Sequence, residues 1–309
     1  MKMPPFDYAA PETLPEAIAL LSRHRGEARV LAGGQSLLPM LAFRMAAPSM
    51  LVDLRKLPDL NRISISARGV ELGAMVRWCD IEESEALCTA HPLLVAATAC
   101  VAHYPIRSRG TVGGSLAHAD FAAELPGIAV ACDAEIVAVS PFGTRRIPAR
   151  DFFKSPMTTA LSDDEVITAL TLPTWPSERR WGFQEFSRQR GGFPLAGVAV
   201  YYEEVDGKAS NAHLTVIGAS SRLERLGAAE RALNGQVVSE DVIDAVAEAA
   251  AAAIDPVSDI DGAADYRRAL VRTLTARALA ECLSSRGASK GDAATPGIPG
   301  IASSHRSSQ

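Results

Sequence analysis

Two short glycine-rich stretches, Ala32-Gly-Gly-Gln-Ser36 and Thr111-Val-Gly-Gly-Ser115, dominate the interpretation of this sequence. Each has a small or β-branched residue, then paired glycines, then a hydroxyl. Because glycine lacks a Cβ, the backbone N–H groups of such a stretch can approach a ligand closely and point inward together, which holds a diphosphate with few cations. Ser36 and Ser115 would add hydroxyl donors.

Neither stretch has the spacing of the common nucleotide-binding motifs. Neither is G-x-G-x-x-G nor G-x-x-x-x-G-K-[ST], so neither a Rossmann dinucleotide site nor a P-loop is supported. One such stretch alone is typical of an ordinary loop. Two of them, each predicted to follow a strand, favour a shared ligand site.

The surrounding pattern mixes strands and helices. Around the first stretch it predicts a strand at 29–32, a glycine turn, a helix within 35–45 and a strand at 50–54. Thr13-Leu-Pro-Glu16 is typical of a helix start. Further on, the pattern predicts a helix at 92–103, strands at 63–66, 70–74, 135–139, 144–147 and 165–172, and a domain boundary at the proline-rich residues 173–176.

The pattern changes after this boundary. Three strands are predicted at 182–187, 195–205 and 208–218, with a tight hairpin at Asp206-Gly207. Helices are then predicted at 222–234, capped by Gly235, and at 239–254 and 264–283. The residues that follow are mostly Gly, Ser, Pro and Ala, which predicts a disordered tail.

Composition excludes several functional classes. The 309 residues are 48% hydrophobic and 22% charged, which suits a well-cored protein, and the net charge of -5 argues against a nucleic-acid partner. The five cysteines are an odd number without a C-x-x-C pair, so no zinc or iron–sulfur site is indicated. The longest apolar runs are too short to cross a bilayer and no signal peptide is recognisable, so we expect a cytoplasmic protein.

Three longer stretches resemble a known family. VLAGGQSLLPMLAFRMAAPSMLVDLRKLPDL (30–60), IRSRGTVGGSLAHADFAAELP (106–126) and DYRRALVRTLTARAL (265–279) are similar to the medium, FAD-binding subunit of the molybdenum hydroxylases. This family includes carbon monoxide dehydrogenase and the bacterial xanthine, nicotine and caffeine dehydrogenases. The similarity covers nearly the whole chain before the tail.

The resemblance implies an α+β fold. It implies a two-part FAD-binding domain of the vanillyl-alcohol-oxidase (PCMH) type at residues 1–176. A smaller α/β domain of the CO dehydrogenase flavoprotein C-terminal type would follow at 177–284, and the tail would occupy 285–309.

The resemblance also implies a set of cofactor-binding residues. Glu124 matches an acidic residue that accepts hydrogen bonds from the adenosine ribose, and a carboxylate suits two vicinal hydroxyls. Ile167 matches an apolar backbone position near the adenine, and Phe193 an aromatic position beside the isoalloxazine. The alternatives are a solvated loop acid for Glu124 and a core phenylalanine for Phe193. The diphosphate and its surroundings would be contacted by Ala32, Gly33, Gly34, Gln35, Ser36, Leu37, Thr111, Val112, Gly113, Gly114 and Ser115.

The chain departs from the family pattern in a few places. Gly191-Gly192-Phe193 stands where a glycine-aspartate-phenylalanine run is frequent, and Phe121 where proline is frequent. Gln35 replaces the histidine of the carbon monoxide dehydrogenases, which weakly disfavours carbon monoxide as substrate because another subunit handles the substrate.

Two polar groups of the sequence allow competing interpretations. His118 and Asp120 follow the second stretch, but two ligands without a third weakly indicate a metal, and loop hydrogen bonding is the alternative. The four arginines of the last helix are expected on its solvated face, where one or two would meet a partner. They are Arg267, Arg268, Arg272 and Arg277.

The resemblance implies an electron-transfer subunit that binds FAD non-covalently and holds no catalytic residue or metal. The molybdenum cofactor would lie on a large molybdopterin-binding subunit and [2Fe-2S] clusters on a small subunit, with two such trimers forming a dimer of heterotrimers. A stand-alone flavin oxidase is one alternative, which a covalent flavin link would favour. A flavin-free scaffold is another, against which the intact glycine stretches argue.

Overall fold

The computed structural model describes residues 3–284, and the predicted tail at 285–309 lies outside the described residues. The first lobe is a small parallel sheet with strand order β1-β3-β2. Its elements are β1 (Asp7–Ala9), α1 (Leu14–Arg23), β2 (Ala28–Leu31), α2 (Leu37–Ala42) and β3 (Met50–Asp53).

Helix α1 shows how the sequence forms this lobe. Thr13 is its N-cap, and the Thr13 side chain accepts a hydrogen bond from the Glu16 backbone N–H. Ala17, Ile18 and Leu21 share one face of the helix and are buried in a hydrophobic cluster with β2 and β3. The cap and the apolar stripe therefore place α1 against the sheet.

The second lobe is built around a five-stranded antiparallel sheet with strand order β4-β5-β10-β6-β7. Helices lie between β5 and β6 in the chain. The elements are β4 (Ile63–Ser66), β5 (Gly69–Gly73), α3 (Trp78–Glu82), α4 (Glu85–Ala90), α5 (Pro92–Cys100), α6 (Tyr104–Arg107), α7 (Val112–His118), α8 (Glu124–Ala131), β6 (Glu135–Ser140), β7 (Gly143–Pro148), α9 (Ala149–Phe152), β8 (Phe153–Ser155), β9 (Thr158–Thr159) and β10 (Val166–Leu172).

The C-terminal part is a three-stranded antiparallel sheet followed by helices. At the β12–β13 hairpin, Asp206 and Gly207 have φ values of 52° and 75°, as the sequence predicts for a tight turn. The elements are β11 (Arg180–Ser187), β12 (Pro194–Val205), β13 (Lys208–Ile217), α10 (Gly227–Leu233), α11 (Glu240–Ala253) and α12 (Ala264–Ser284). No helix among the described residues is long and apolar enough to span a membrane.

The C-terminal sheet is covered on both faces. One face packs on helices α10 to α12. The other packs on α8, where a Cβ built on Gly127 would lie 2.4 Å from Ile217 Cγ1, and where the Gly218 N–H donates to the Phe121 carbonyl at 2.9 Å. Only glycine at position 127 allows this approach, so α8 is fixed by the C-terminal sheet.

A stack of side chains packs the connection between β10 and β11 against the second lobe and against the C-terminal sheet. The Arg179 guanidinium lies 4.7 Å from the Trp175 ring centroid and 4.5 Å from that of Tyr201. Trp175 also contacts the His91 ring at 4.5 Å between centroids. The proline-rich connection is therefore packed into the structure.

Three sequence predictions differ from the structure. The helix predicted at 222–234 spans only Gly227–Leu233, because Arg225 before it forms a β-bridge with Thr215. The second glycine stretch is not a turn after a strand: Thr111 is the N-cap of α7, and α6 precedes it. Arg267 is not on a solvated face, because its guanidinium is buried and donates to Leu195 O, Gly218 O and the Asp259 carboxylate. The guanidinium can be buried because these carbonyls and this carboxylate accept its hydrogen bonds.

Candidate cofactor-binding site

A cleft of about 1010 Å³ lies where the two N-terminal lobes meet the loop before β12. Val112 does not line the cleft, because its side chain points into the core and is fully buried. The predicted cofactor residues that do line it are Ala32, Gly33, Gly34, Gln35, Ser36, Leu37, Thr111, Gly113, Gly114, Ser115, Glu124, Ile167 and Phe193.

The first glycine stretch contacts Arg109 and Gly110, the two residues that precede the second stretch. A Cβ built on Gly33 would lie 2.1 Å from the Arg109 carbonyl oxygen and 3.0 Å from Gly110 Cα. The backbones of the two lobes can approach this closely only because position 33 has no side chain. This contact brings two segments that are far apart in the chain together in the lining of the cleft.

The first stretch leaves a row of backbone donors free. Among residues 3–284, no group accepts a hydrogen bond from the N–H groups of Gly33, Gly34, Gln35 and Ser36. Gly34 has φ +72°, a left-handed conformation in which consecutive N–H groups form an anion-binding concavity. The Gln35 side chain donates to the Gly33 carbonyl at 3.0 Å, so this acceptor is already occupied. This segment therefore suits an anion.

The second stretch uses its N–H groups differently. The N–H groups of Val112 and Gly113 donate to Val76 O and Ala74 O at 2.9 and 2.8 Å, and that of Gly114 donates to the Thr111 hydroxyl oxygen. In the second stretch the N–H groups of residues 112–115 therefore donate within the protein, unlike those of residues 33–36. The second contributes shape: a Cβ on Gly113 would lie 2.6 Å from the Ala74 Cβ.

Glu124 is held at the start of α8 by the turn that follows α7. Ala119 ends α7 in a left-handed conformation, and the Asp120 carboxylate accepts from the Ala122 N–H at 2.9 Å. Glu124 is only 7% exposed, so it is not a solvated loop acid. Burial raises the pKa of its carboxyl to about 7, against the lowering effect of a backbone hydrogen bond, and the charge of Asp120 adds to the rise.

Ile167 lies in a part of β10 that is paired on one side only. It pairs with Ala138 of β6, whereas pairing of β10 with β5 starts at Ala169 after a bulge. The side of β10 at Val166 and Ile167 that faces away from β6 has no strand partner in the described structure. Backbone polar groups there are available to the edge of a planar ring.

Phe193 stands at the mouth of the cleft and is 69% exposed, so it is not a core phenylalanine. The loop that carries it is fixed at two points. Gly191 has φ +73°, and a Cβ on it would lie 2.6 Å from His103 Cε1. The Arg188 guanidinium donates to the carbonyls of Ile260 and Asp261.

The charged groups of the lining limit what the cleft can bind. Apart from the histidines His103 and His118, the only basic residue that lines the cleft in the described structure is Arg29. The acidic residues that line it are Asp120, Glu124, Asp163 and Glu165. A diphosphate here would be neutralised mainly by backbone N–H groups and hydroxyls, so a more highly charged ligand fits poorly. The described residues contain no group of three His, Cys, Asp or Glu side chains that could hold a metal ion.

The residues present fit FAD. An N–H cradle suits its diphosphate, a buried carboxyl suits ribose hydroxyls, and an aromatic side chain lies at the open end. The sequence analysis did not identify several lining residues, because nothing in their local pattern distinguishes them from core or loop residues. They include Arg29, Trp78, His103, Ile106 and Met157.

Comparisons with known proteins identify the families that the two parts of the chain match. Residues 4–175 match the family described as FAD binding domain in molybdopterin dehydrogenase, and residues 181–282 match the CO dehydrogenase flavoprotein C-terminal domain. The chain is 40% identical to the nicotine 6-hydroxylase medium subunit of Paenarthrobacter nicotinovorans, over 91% of this chain and 98% of that subunit. It is 34% identical to the carbon monoxide dehydrogenase medium chain of Hydrogenophaga pseudoflava, over 89% and 96%.

Solved structures show the same architecture. A chain of carbon monoxide dehydrogenase from Hydrogenophaga pseudoflava superposes with a TM-score of 0.89 at 34% identity, covering 92% of this chain and 99% of that chain. A chain of quinoline 2-oxidoreductase from Pseudomonas putida 86 gives 0.88 at 36% identity with the same coverage. The α+β fold implied by the sequence is therefore confirmed, and the chain belongs to the FAD-binding medium subunits of the molybdenum hydroxylases.

Proposed function

We propose that this chain binds FAD non-covalently in the cleft and passes electrons from [2Fe-2S] clusters of a small partner subunit to an external acceptor. The observation that carries the placement is the row of unpaired N–H groups at Gly33, Gly34, Gln35 and Ser36. Such a row binds a diphosphate at little electrostatic cost, because backbone dipoles replace the missing cations.

The remaining contacts follow from this placement. Glu124 accepts hydrogen bonds from two vicinal ribose hydroxyls, and the free side of β10 at Ile167 receives the adenine edge. Ser36 and Ser115 donate their hydroxyls to phosphate oxygens. Val112 supports the site only from the core.

Phe193 marks the end of the cleft where the isoalloxazine would lie. Flavin exchanges electrons singly or in pairs, which suits a junction between one-electron clusters and a two-electron acceptor. The chain's own contribution is to hold the ring at the mouth: Gly191 packs on His103, and Arg188 fixes the loop from the other side. Together they set how far the ring is exposed.

The surface around the mouth suits a docked electron donor. Tyr104 is 58% exposed and Ile106 37% exposed on α6, next to the lining residue His103. Exposed apolar side chains grouped at a cofactor edge are typical of a partner surface. We therefore place the small subunit against α6 and the loop of Phe193.

The assembly would contain two further chains. A large molybdopterin-binding subunit would oxidise the substrate and a small [2Fe-2S] subunit would relay electrons, with two heterotrimers pairing in the cytoplasm. Within this chain, residues 1–176 would form the FAD-binding domain and residues 177–284 the second domain. The matches to residues 4–175 and 181–282 support this division.

The test is the state of the flavin in the purified chain. The protein should be yellow, and acid precipitation should leave FAD in the supernatant above a colourless pellet. Colour kept in the pellet would indicate a covalent flavin, for which His103 and His118 are the histidines of the lining, and would revive the stand-alone oxidase. A preparation that stays colourless after incubation with FAD would support the flavin-free scaffold.

A further inference from the structure

Glu185 faces the N-terminal part of the molecule. Successive residues of a strand point to opposite sides, and Gly182, Gln184 and Phe186 of β11 all contact α12. Phe183 points the other way and is buried in the same cluster as α5 and α8. Glu185 has the orientation of Phe183, so the second domain presents its carboxyl to the first.

The carboxyl of Glu185 is partly buried, and one of its oxygens has no hydrogen-bond partner among the described residues. This oxygen, Oε2, is itself buried. Burial raises the pKa of Glu185 to about 8, and the negative charge of Glu124 adds to the rise. An ionised carboxylate with an unpaired oxygen is costly in such a place, whereas a neutral acid is tolerated.

The other titratable groups around this carboxyl come from α8, the turn before it and α5. Glu124 belongs to α8, with Asp120 just before it, and Cys100 ends α5. Burial raises the pKa of Cys100 to about 12, and the charges of Glu185 and Glu124 add to the rise. Arg107 and Arg190 act on Cys100 in the opposite direction. Cys100 is therefore uncharged, and the two glutamates are the pair that can compete for a proton.

We propose that Glu185 is a positioning residue for the cofactor site: it remains an uncharged acid beside Glu124, so that Glu124 is the one carboxylate of the pair and keeps its place for the ribose hydroxyls. This inference rests on the FAD site proposed above. It assigns to the second domain a part in holding the cofactor, although Glu185 does not line the cleft.

The pair gives FAD binding a bell-shaped pH dependence. Ribose hydroxyls donate to ionised Glu124, so bound FAD lowers its pKa below the value of about 7 in the empty cleft, and affinity rises with pH up to that value. Bound FAD also shields the Glu124 carboxylate from water. Ionisation of Glu185 next to this carboxylate is therefore less favourable than in the empty cleft. Affinity therefore falls as pH rises through about 8, where Glu185 ionises.

The experiment measures the dissociation constant of FAD by equilibrium dialysis over roughly pH 5 to 10. The wild-type chain is compared with Glu185→Gln, which cannot ionise, with Glu124→Gln, and with the exposed control Glu224→Gln. We expect the wild type and the control to lose affinity above about pH 8, by up to about tenfold per pH unit, and Glu185→Gln to keep its neutral-pH affinity there.

A second arm covers the case in which Glu185→Gln does not fold. Glu124→Gln removes the charge next to Glu185, so both the acid limb and the alkaline limb should disappear, leaving weak binding that is nearly independent of pH. The inference is overturned if Glu185→Gln keeps the wild-type alkaline limb, or if Glu124→Gln loses only the acid limb. A wild-type chain that binds no FAD at any pH would instead overturn the cofactor assignment on which the inference rests.

Discussion

Replacing Gly33 with alanine tests the contact on which the cleft is built. The new Cβ would lie 2.1 Å from the Arg109 carbonyl oxygen, whereas a carbon and a carbonyl oxygen normally approach to about 3.3 Å, so the two backbones must separate by about 1 Å. Neither side of the contact is a flexible side chain, so relief requires the lobes themselves to move. Strain of this kind costs about 1–3 kcal/mol.

This cost should appear mainly in cofactor binding. If the strain is relieved by opening the cleft, the dissociation constant of FAD should rise about 5- to 150-fold, since 1.4 kcal/mol is a factor of ten. Flavin content after desalting and a fluorescence titration with FAD give the two readouts. The control is Gly227→Ala, where the new Cβ would lie 3.3 Å from the end of the flexible Arg231 side chain. A Gly33→Ala chain with wild-type affinity would refute the packing of Gly33 on Arg109 described above.

Further predictions concern packing, the cleft mouth and activity. Arg267→Ala should lower the free energy of unfolding by about 1–3 kcal/mol, because it leaves the carbonyls of Leu195 and Gly218 without this donor and removes the ion pair with Asp259. Arg268→Ala on the more exposed side of α12 should change the free energy of unfolding by less than about 0.5 kcal/mol in urea denaturation. Phe193→Ala should weaken FAD binding by about threefold to tenfold, which corresponds to the loss of one contact between aromatic rings. An unchanged affinity would show that Phe193 does not contact the flavin. The lone chain should not reduce a dye with any organic substrate, whereas the co-expressed three-chain complex should; equal rates for both would contradict the division of labour between subunits.

The elements predicted correctly are those with a strong local cause. Thr13 before a proline and a glutamate marks the start of α1, and Asp206-Gly207 between apolar runs marks the β12–β13 hairpin. The strands at 135–139 and 144–147 correspond to β6 and β7, an antiparallel pair joined by a short turn in which Gly143 has φ +126°. In each case the signal lies within a few residues.

Helix α8 shows why other elements escaped prediction. All of its residues are buried, so its sequence has no polar face and no helical periodicity, and Pro126 and Gly127 are unfavourable in a helix interior. Only its packing between α5 and β13 makes it a helix, and that packing is tertiary. The burial of Glu124 at its start was not visible in the sequence for the same reason.

The candidate site could be predicted in composition but not in detail. The resemblance pointed to the residues that line the cleft, with Val112 as the exception because the start of α7 turns its side chain into the core. Which stretch offers free N–H groups depends on hydrogen bonds to Ala74 and Val76, which lie far from it in the chain. Glu185 carries no local signal at all, since its surroundings come from α5 and α8.

The fit of Gly127 against Ile217 has a consequence for when the cofactor can be loaded during biosynthesis. Glu124 begins the helix that this contact fixes, so the carboxylate that we propose for the ribose is positioned only after β13 has left the ribosome and paired with β12. The N–H cradle at the first stretch is made much earlier. We therefore expect a nascent chain that ends before β13 to release flavin readily, and flavin insertion to follow completion of the C-terminal sheet.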